Sequence, residues 1–334
     1  MRLSIFNSRW LIWPILALFL AGASSAEVYY RSLHLKPQER KKDVFALAGA
    51  RDLLIVGDSR ADAGLVPSVL GRALSIPNGA NLGSEGVSPI NQLEVLALMG
   101  ERPRLIIVAV SPASVYGIFY RPPPYAQKMV AAREHHSDRG ARQVLEAPFH
   151  TTEGVLSGFA KEHLYVAGGF KTLRAAFWGG GYGEVRHKDG WLQVNPLGER
   201  AAFTRLVNVQ AYSKLTFKGT VDLSARDAVL GSALDGMRKT ACLVLVRLPC
   251  APGLRAIENQ HVPDFDRRMQ AVAAARSMTY IASLPGFQVD WSECDGSHLL
   301  APAAEDYSKR LGAQIHSQIL KESAQDRKDA PQGG

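Results

Sequence analysis

Short continuous apolar runs alternate along this chain with stretches in which apolar residues recur at helical spacing. Leu53–Val56 and Leu105–Val110 are uninterrupted and rich in branched residues, the pattern of strands buried on both faces. Residues 243–246 repeat it, a shorter run precedes Asn81, and 287–289 reads as a last short strand. Between these runs, residues 67–74 and 89–99 each begin with proline and predict helices. Residues 264–278 predict another, because Phe265, Met269, Val272 and Ala273 fall on one helical face. Pro302 opens a terminal helix in which Ala304, Tyr307, Leu311, Ile315 and Ile319 form a single apolar stripe. Strands alternating with helices predict an α/β fold on a parallel, doubly wound sheet.

The amino terminus has a different pattern. Arg2 and Arg9 precede an uncharged apolar run from Trp10 to Ala23, and Ser24-Ser25-Ala26 matches a small-residue cleavage site. Residues 1–26 are therefore expected to be an export signal, cleaved or kept as a short anchor, since up to Tyr30 only Glu27 is charged. With both arginines held inside, the rest of the chain faces out, in the periplasm or beyond, secreted or anchored to the inner membrane. Residues 27–50 read as a basic, polar connector and 51–320 as one large domain. The tail, 321–334, is polar, ends in Pro and Gly, and is expected to be disordered.

Residues from about 116 to 235 exceed what an alternating α/β core requires and read as an insertion. They contain Arg121-Pro122-Pro123-Pro124, the pair His135-His136, the loop Trp178-Gly179-Gly180-Gly181-Tyr182-Gly183, and Asp189-Gly190-Trp191. Insertions at the ligand-binding edge of a sheet commonly form lids. Tryptophan and tyrosine on glycine-rich loops suit either stacking on sugar rings or anchoring the insertion. His135 and His136 have only Glu134 and Asp138 at ligand spacing, so a solvated helix end is the better reading than a metal site. His163, His187 and His261 receive no role.

Charge and cysteines narrow the function classes. The net charge of +8 is spread thinly, without a basic stripe interleaved with aromatics, so no nucleic acid is expected as partner. Three cysteines are too few for a disulfide scaffold and lack metal-site spacing. In an oxidising compartment, Cys250 and Cys294 are the pair best placed for a bridge, with Cys242 buried in an apolar strand. No metal and no cofactor are called for.

The candidate chemistry lies at the two ends of the domain. The first apolar run breaks into Gly57-Asp58-Ser59, which puts Ser59 where a parallel strand opens at its carboxyl edge, the edge where such sheets bind ligands. A serine hydroxyl needs a base to become a nucleophile. His298 can serve if an acid fixes its tautomer, as Asp295 can in Asp295-Gly296-Ser297-His298.

Gly57-Asp58-Ser59 and Asp295-x-x-His298 resemble, in identity and order, the motifs of the SGNH or GDSL-type hydrolase superfamily. The resemblance implies a three-layer α/β/α, flavodoxin-like catalytic domain with a parallel sheet and a large insertion. It also implies a Ser59-His298-Asp295 triad. A further family element, a glycine five residues after an asparagine, is matched by Gly86 after Asn81, with Gly83 as fallback. The family's Gly-x-Asn-Asp is missing: Ser111-Pro112-Ala113-Ser114 stands there, with Ala113 at the asparagine, so Ser114 or Ser111 is the substitute donor. The implied oxyanion hole comprises Ser59, Gly86 and Ser114.

Arg247-Leu248-Pro249, Asp189-Gly190-Trp191 and the amino-terminal signal resemble an exported subgroup that works beside polysaccharide synthesis machinery, including alginate O-acetylation and cell-wall D-alanylation proteins. That resemblance implies an esterase or acyltransferase for O-acyl groups of an envelope or extracellular polysaccharide, partnered with membrane-bound synthesis or acyl-export machinery. Two alternatives stay open: a lipid esterase or thioesterase, and a glycan-binding assembly protein with a weakened oxyanion hole. The acyl group, the glycan, the acceptor and the oligomeric state are not legible in the sequence.

Overall fold

The computed structural model describes residues 45, 48–49, 51–134, 184–198, 201–217 and 221–329. The export segment 1–26, nearly all of the connector, His135-His136, Asp138, His163, the Trp178 to Gly183 loop and residues 330–334 lie outside the described residues.

The described strands are β1 (Leu53–Val56), β2 (Gly79–Asn81), β3 (Leu105–Val110), β4 (Val185–Arg186), β5 (Leu192–Gln193), β6 (Cys242–Arg247) and β7 (Thr279–Ile281). Five form one sheet in the order β2-β1-β3-β6-β7, every neighbouring pair parallel, while β4 and β5 pair antiparallel as a separate hairpin. The described helices are α1 (Ser59–Gly64), α2 (Pro67–Leu74), α3 (Pro89–Leu98), α4 (Pro112–Tyr116), α5 (Tyr125–Glu134), α6 (Ala201–Ala211), α7 (Leu223–Met237), α8 (Pro252–His261), α9 (Phe265–Ala274) and α10 (Ala301–Asp329). A π-helical turn, Tyr212–Thr216, continues α6.

The apolar runs are continuous because both faces of the sheet are covered. Leu54 and Val56 of β1 pack into one core with Ile90 and Leu93 of α3, Leu230 and Leu234 of α7, and Phe265 and Met269 of α9. Leu53 and Ile55 point the other way, toward Leu70 of α2 and Tyr307, Leu311 and Ile315 of α10. Each β1 side chain is fully buried, which at ~1.5–3 kcal/mol per large apolar side chain fixes the register against a one-residue slip.

That register pairs Leu53 with Leu105, and Leu105 with Cys242. The chain leaves β1 for the neighbour on one side and β3 for the neighbour on the other. Their carboxyl ends therefore flank the crevice where an open α/β sheet binds its ligand.

The structure departs from the sequence reading in several places. The last sheet strand is β7 and not residues 287–289; Phe287 and Val289 pack against the core from irregular backbone. The helix expected to reach residue 278 ends at Ala274, and Ser277 turns the chain with a φ of 51° before β7. Within the stretch read as inserted, α7 packs on the sheet as the crossover helix into β6. Helix α10 runs to Asp329, and Lys321, Glu322, Gln325 and Arg327 within it are good helix formers. Cys250 and Cys294 are free thiols, and Cys242, first in β6, is exposed.

Among the described residues, no helix is long and apolar enough to cross a membrane.

Candidate active site

Gly57 makes the abrupt turn from β1 into α1. A Cβ there would lie 2.6 Å from the Ala61 Cβ and 2.9 Å from the Ala109 Cβ, so only glycine fits between strand and helix. Its N–H donates to Gln92 Oε1 at 2.6 Å. Asp58 then caps α1: Oδ1 accepts from the Arg60 N–H at 2.9 Å, and Oδ2 accepts from the Ser111 hydroxyl at 2.9 Å, which ties the cap to the end of β3. Asn81, fully buried, closes the other end. Its Nδ2 donates to the carbonyls of Ala61 at 2.8 Å and Leu65 at 2.7 Å, satisfying acceptors a short helix leaves open.

Within this rigid turn Ser59 has a singular position. From Leu53 through Pro67 every residue is buried except Ser59. As first residue of α1, it also has an N–H with no helical acceptor behind it.

Asp295 and His298 lie in the loop between β7 and α10. The Asp295 carboxylate is buried, with Oδ1 accepting from the Ser297 and His298 N–H groups, each at 2.8 Å. Oδ2 accepts from His298 Nδ1 at 2.8 Å, which puts the imidazole proton on Nδ1 and leaves Nε2 as a base. Gly296 permits the turn with a φ of 82°, where a Cβ would come within 3.0 Å of Ala251.

Burial works against the Asp295 charge, yet His298 and the two backbone N–H groups hold the carboxyl well below its usual range. Burial likewise pushes the His298 imidazole down, but the Asp295 charge and hydrogen bond outweigh it and raise it, with Asp58 adding and Arg60 opposing. Asp58 and Arg60 flank Ser59, so the imidazole is within electrostatic range of the serine turn.

The expected oxyanion donors divide. Gly83 N–H is taken by Asn81 Oδ1 at 2.8 Å, which leaves Gly86, whose φ is 67° and whose N–H has no partner among the described residues. Ser114 is directed elsewhere: its hydroxyl donates to the Ser111 carbonyl at 3.1 Å and accepts from the Ser111 N–H at 2.9 Å. Ser111 and Ser114 form a capping box for α4, and Ser114 is fully buried.

The sequence also did not indicate the buried charges behind Ser59. Arg60 Nη1 lies 2.8 Å from Glu258 Oε1, and Arg247 Nη2 lies 3.0 Å from Glu258 Oε2, all three side chains nearly or fully buried. Arg60 donates to the Tyr212 hydroxyl at 2.8 Å, and Arg247 reaches Asp266 at 2.7 Å. Burial opposes the Glu258 charge, but Arg60 and then Arg247 outweigh it and hold the carboxyl below its usual range. The network fixes the side chain next to Ser59.

The β4–β5 hairpin anchors on the same turn. Trp191 is buried and donates to the Ala63 carbonyl at 3.0 Å, and Asn81 donates its N–H to the Asp189 carbonyl at 2.7 Å. Arg186 grips Asp62 with two bonds of 2.7 Å. Of the two readings of Asp189-Gly190-Trp191, anchoring is the one realised. Among the described residues, no group of His, Cys, Asp or Glu is arranged to hold a metal ion.

Scanned against protein-family models, the chain matches none, and no curated protein matches it.

Proposed function

We propose that this protein is an SGNH-type serine esterase or O-acyltransferase, exported and acting on O-acyl groups of an envelope or extracellular polysaccharide. The observation that carries the reading is Ser59 as the one residue not buried in an otherwise buried strand-to-helix turn, in electrostatic range of a base oriented by a buried carboxylate. The sheet order β2-β1-β3-β6-β7 supports a three-layer, flavodoxin-like frame, and the serine turn lies at its switch point.

In this mechanism Ser59 Oγ attacks the acyl carbonyl while His298 Nε2 takes its proton. The Ser59 and Gly86 N–H groups stabilise the tetrahedral oxyanion. Collapse expels the alcohol, which takes the proton from His298 and leaves an acyl-Ser59 ester. Water or a sugar hydroxyl, deprotonated by His298, then attacks that ester and releases the serine. Polysaccharide synthesis or acyl-export machinery in the membrane is the partner this reading implies.

The capping roles of Ser111 and Ser114 favour slow hydrolysis. One absent oxyanion donor is worth about 10²–10³ in rate. The loss falls on esterase and transferase alike, because attack by water or by a sugar hydroxyl forms the same oxyanion, and the observation also supports a second reading, a glycan-binding protein that keeps the fold. The deciding assay supplies an acetyl donor and a panel of oligosaccharides to purified full-length protein and follows acetylated sugar and acetate by mass spectrometry. Acetylated sugar lost in Ser59→Ala supports transfer, and acetate alone supports an esterase. Neither product leaves the binding protein.

A further inference from the structure

Helix α6 lies in the stretch inserted between β3 and β6, and two of its side chains, one helical turn apart, reach the loop that carries the acid and base. Arg205 Nη1 donates to the carbonyls of Trp291, Ser292 at 2.8 Å and Cys294 at 3.1 Å, the backbone leading into Asp295. Its Cγ lies 3.3 Å from where a Cβ of Gly296 would stand. Asn208 Nδ2 donates to Asp295 Oδ2 at 3.1 Å, the same oxygen that accepts from His298 Nδ1.

Among the described residues, both Asp295 oxygens accept hydrogen bonds: from the Ser297 and His298 N–H groups, from the imidazole, and from Asn208. Three of these come from its own loop. The fourth comes from α6, and it lets the insertion govern which way the carboxylate faces.

We propose that Asn208 is a positioning residue for the Asp295–His298 pair and that α6, through Asn208 and Arg205, makes the insertion part of the catalytic machinery rather than an appended lid. The inference rests on the serine-hydrolase reading for its catalytic consequence, but its physical content concerns only the acid–base pair. An amide N–H on Oδ2 draws charge from the oxygen that supports the imidazole. Without it, Oδ2 holds the imidazolium more strongly and the base is harder to free. Among the described residues, Asp58 and Arg60 of the serine turn and Glu184 beside β4 also act on His298, and neither substitution below alters them.

The test uses the full chain with Asn208→Asp and Asn208→Ala. The first keeps size and replaces the donor by a second carboxylate; the second deletes the group. The His298 titration is followed by NMR of the imidazole, assigned with His298→Gln, alongside the pH profile of p-nitrophenyl acetate turnover. In both variants the His298 midpoint is expected to move up, further in Asn208→Asp. Turnover at neutral pH is expected to fall about tenfold in Asn208→Ala, as for a lost hydrogen bond to a charged group. The loss in both variants recovers at higher pH, which a merely structural defect would not do.

A His298 midpoint unchanged in both variants, each retaining the wild-type thermal midpoint, overturns the proposal. If the midpoint moves but no form turns over an ester or reacts with a fluorophosphonate, the serine-hydrolase reading falls while the positioning role stands. If Asn208→Ala fails to fold, the isosteric Asn208→Asp decides alone.

Discussion

Replacing Glu258 by Gln removes the carboxylate that lies between Arg60 and Arg247 while keeping its shape. The Glu258 side chain is fully buried, and the two arginine side chains are 3% and 2% exposed. Breaking a buried pair from one side costs about 3–5 kcal/mol, because the surviving charges stay buried without compensation. Here Arg60 loses its carboxylate partner while Arg247 keeps Asp266, so the lower half of that range is expected. For a folded unit of this size that lowers Tm by roughly 10 °C. The control is Asp266→Asn, which removes the other partner of Arg247; that side chain is 49% exposed, and a surface pair contributes about 0.2–1 kcal/mol. The sign with pH follows from Glu258 being held below its usual value. Its stabilisation is present above the ordinary glutamate pKa of about 4.3 and disappears as pH falls through the lower folded value. The assay is thermal unfolding of wild type and both variants from pH 7 downward. Equal, small losses for Glu258→Gln and Asp266→Asn at pH 7 would refute the reasoning.

Two further outcomes are expected. Ser114→Ala lowers stability by about 1 kcal/mol through loss of the α4 cap and changes ester turnover less than threefold, whereas an oxyanion donor would cost about 10² or more; steady-state kinetics beside a melting curve separate these. Because Asp295 raises His298 above its ordinary 6.5 despite burial, the rising limb of kcat/KM has its midpoint above that value. By the same linkage, the stability this histidine adds is complete below pH 6.5 and lost as pH climbs through the folded value, measurable by melting from pH 6 to 10.

Legibility in the sequence tracked how local the physics is. β1 and β3 were legible because both their faces are buried, so the apolar run is unbroken. β7 was not: of Thr279, Tyr280 and Ile281 only Ile281 is buried, and the more apolar Phe287 and Val289 drew the assignment downstream although they pack without joining the sheet. Asp295 and His298 were legible as a pair because their contact spans three residues of one loop. Asn208 reaches Asp295 across 87 positions, and Arg60 reaches Tyr212 across 152, with no periodicity linking them. Ser114 is ambiguous in the sequence because a capping serine and a hydrogen-bond donor to substrate are the same residue type. Only the partner of the hydroxyl tells them apart.

The central claim is that Ser59 is a nucleophile activated by His298, and covalent capture tests it most directly. Purified full-length protein is treated with a fluorophosphonate near pH 8, and the modified peptide is located by tandem mass spectrometry. The account predicts one adduct, on Ser59, abolished in Ser59→Ala and strongly slowed in His298→Ala with the fold retained. An adduct on another residue that survives Ser59→Ala, or an Ser59 adduct whose rate is indifferent to His298, would contradict it.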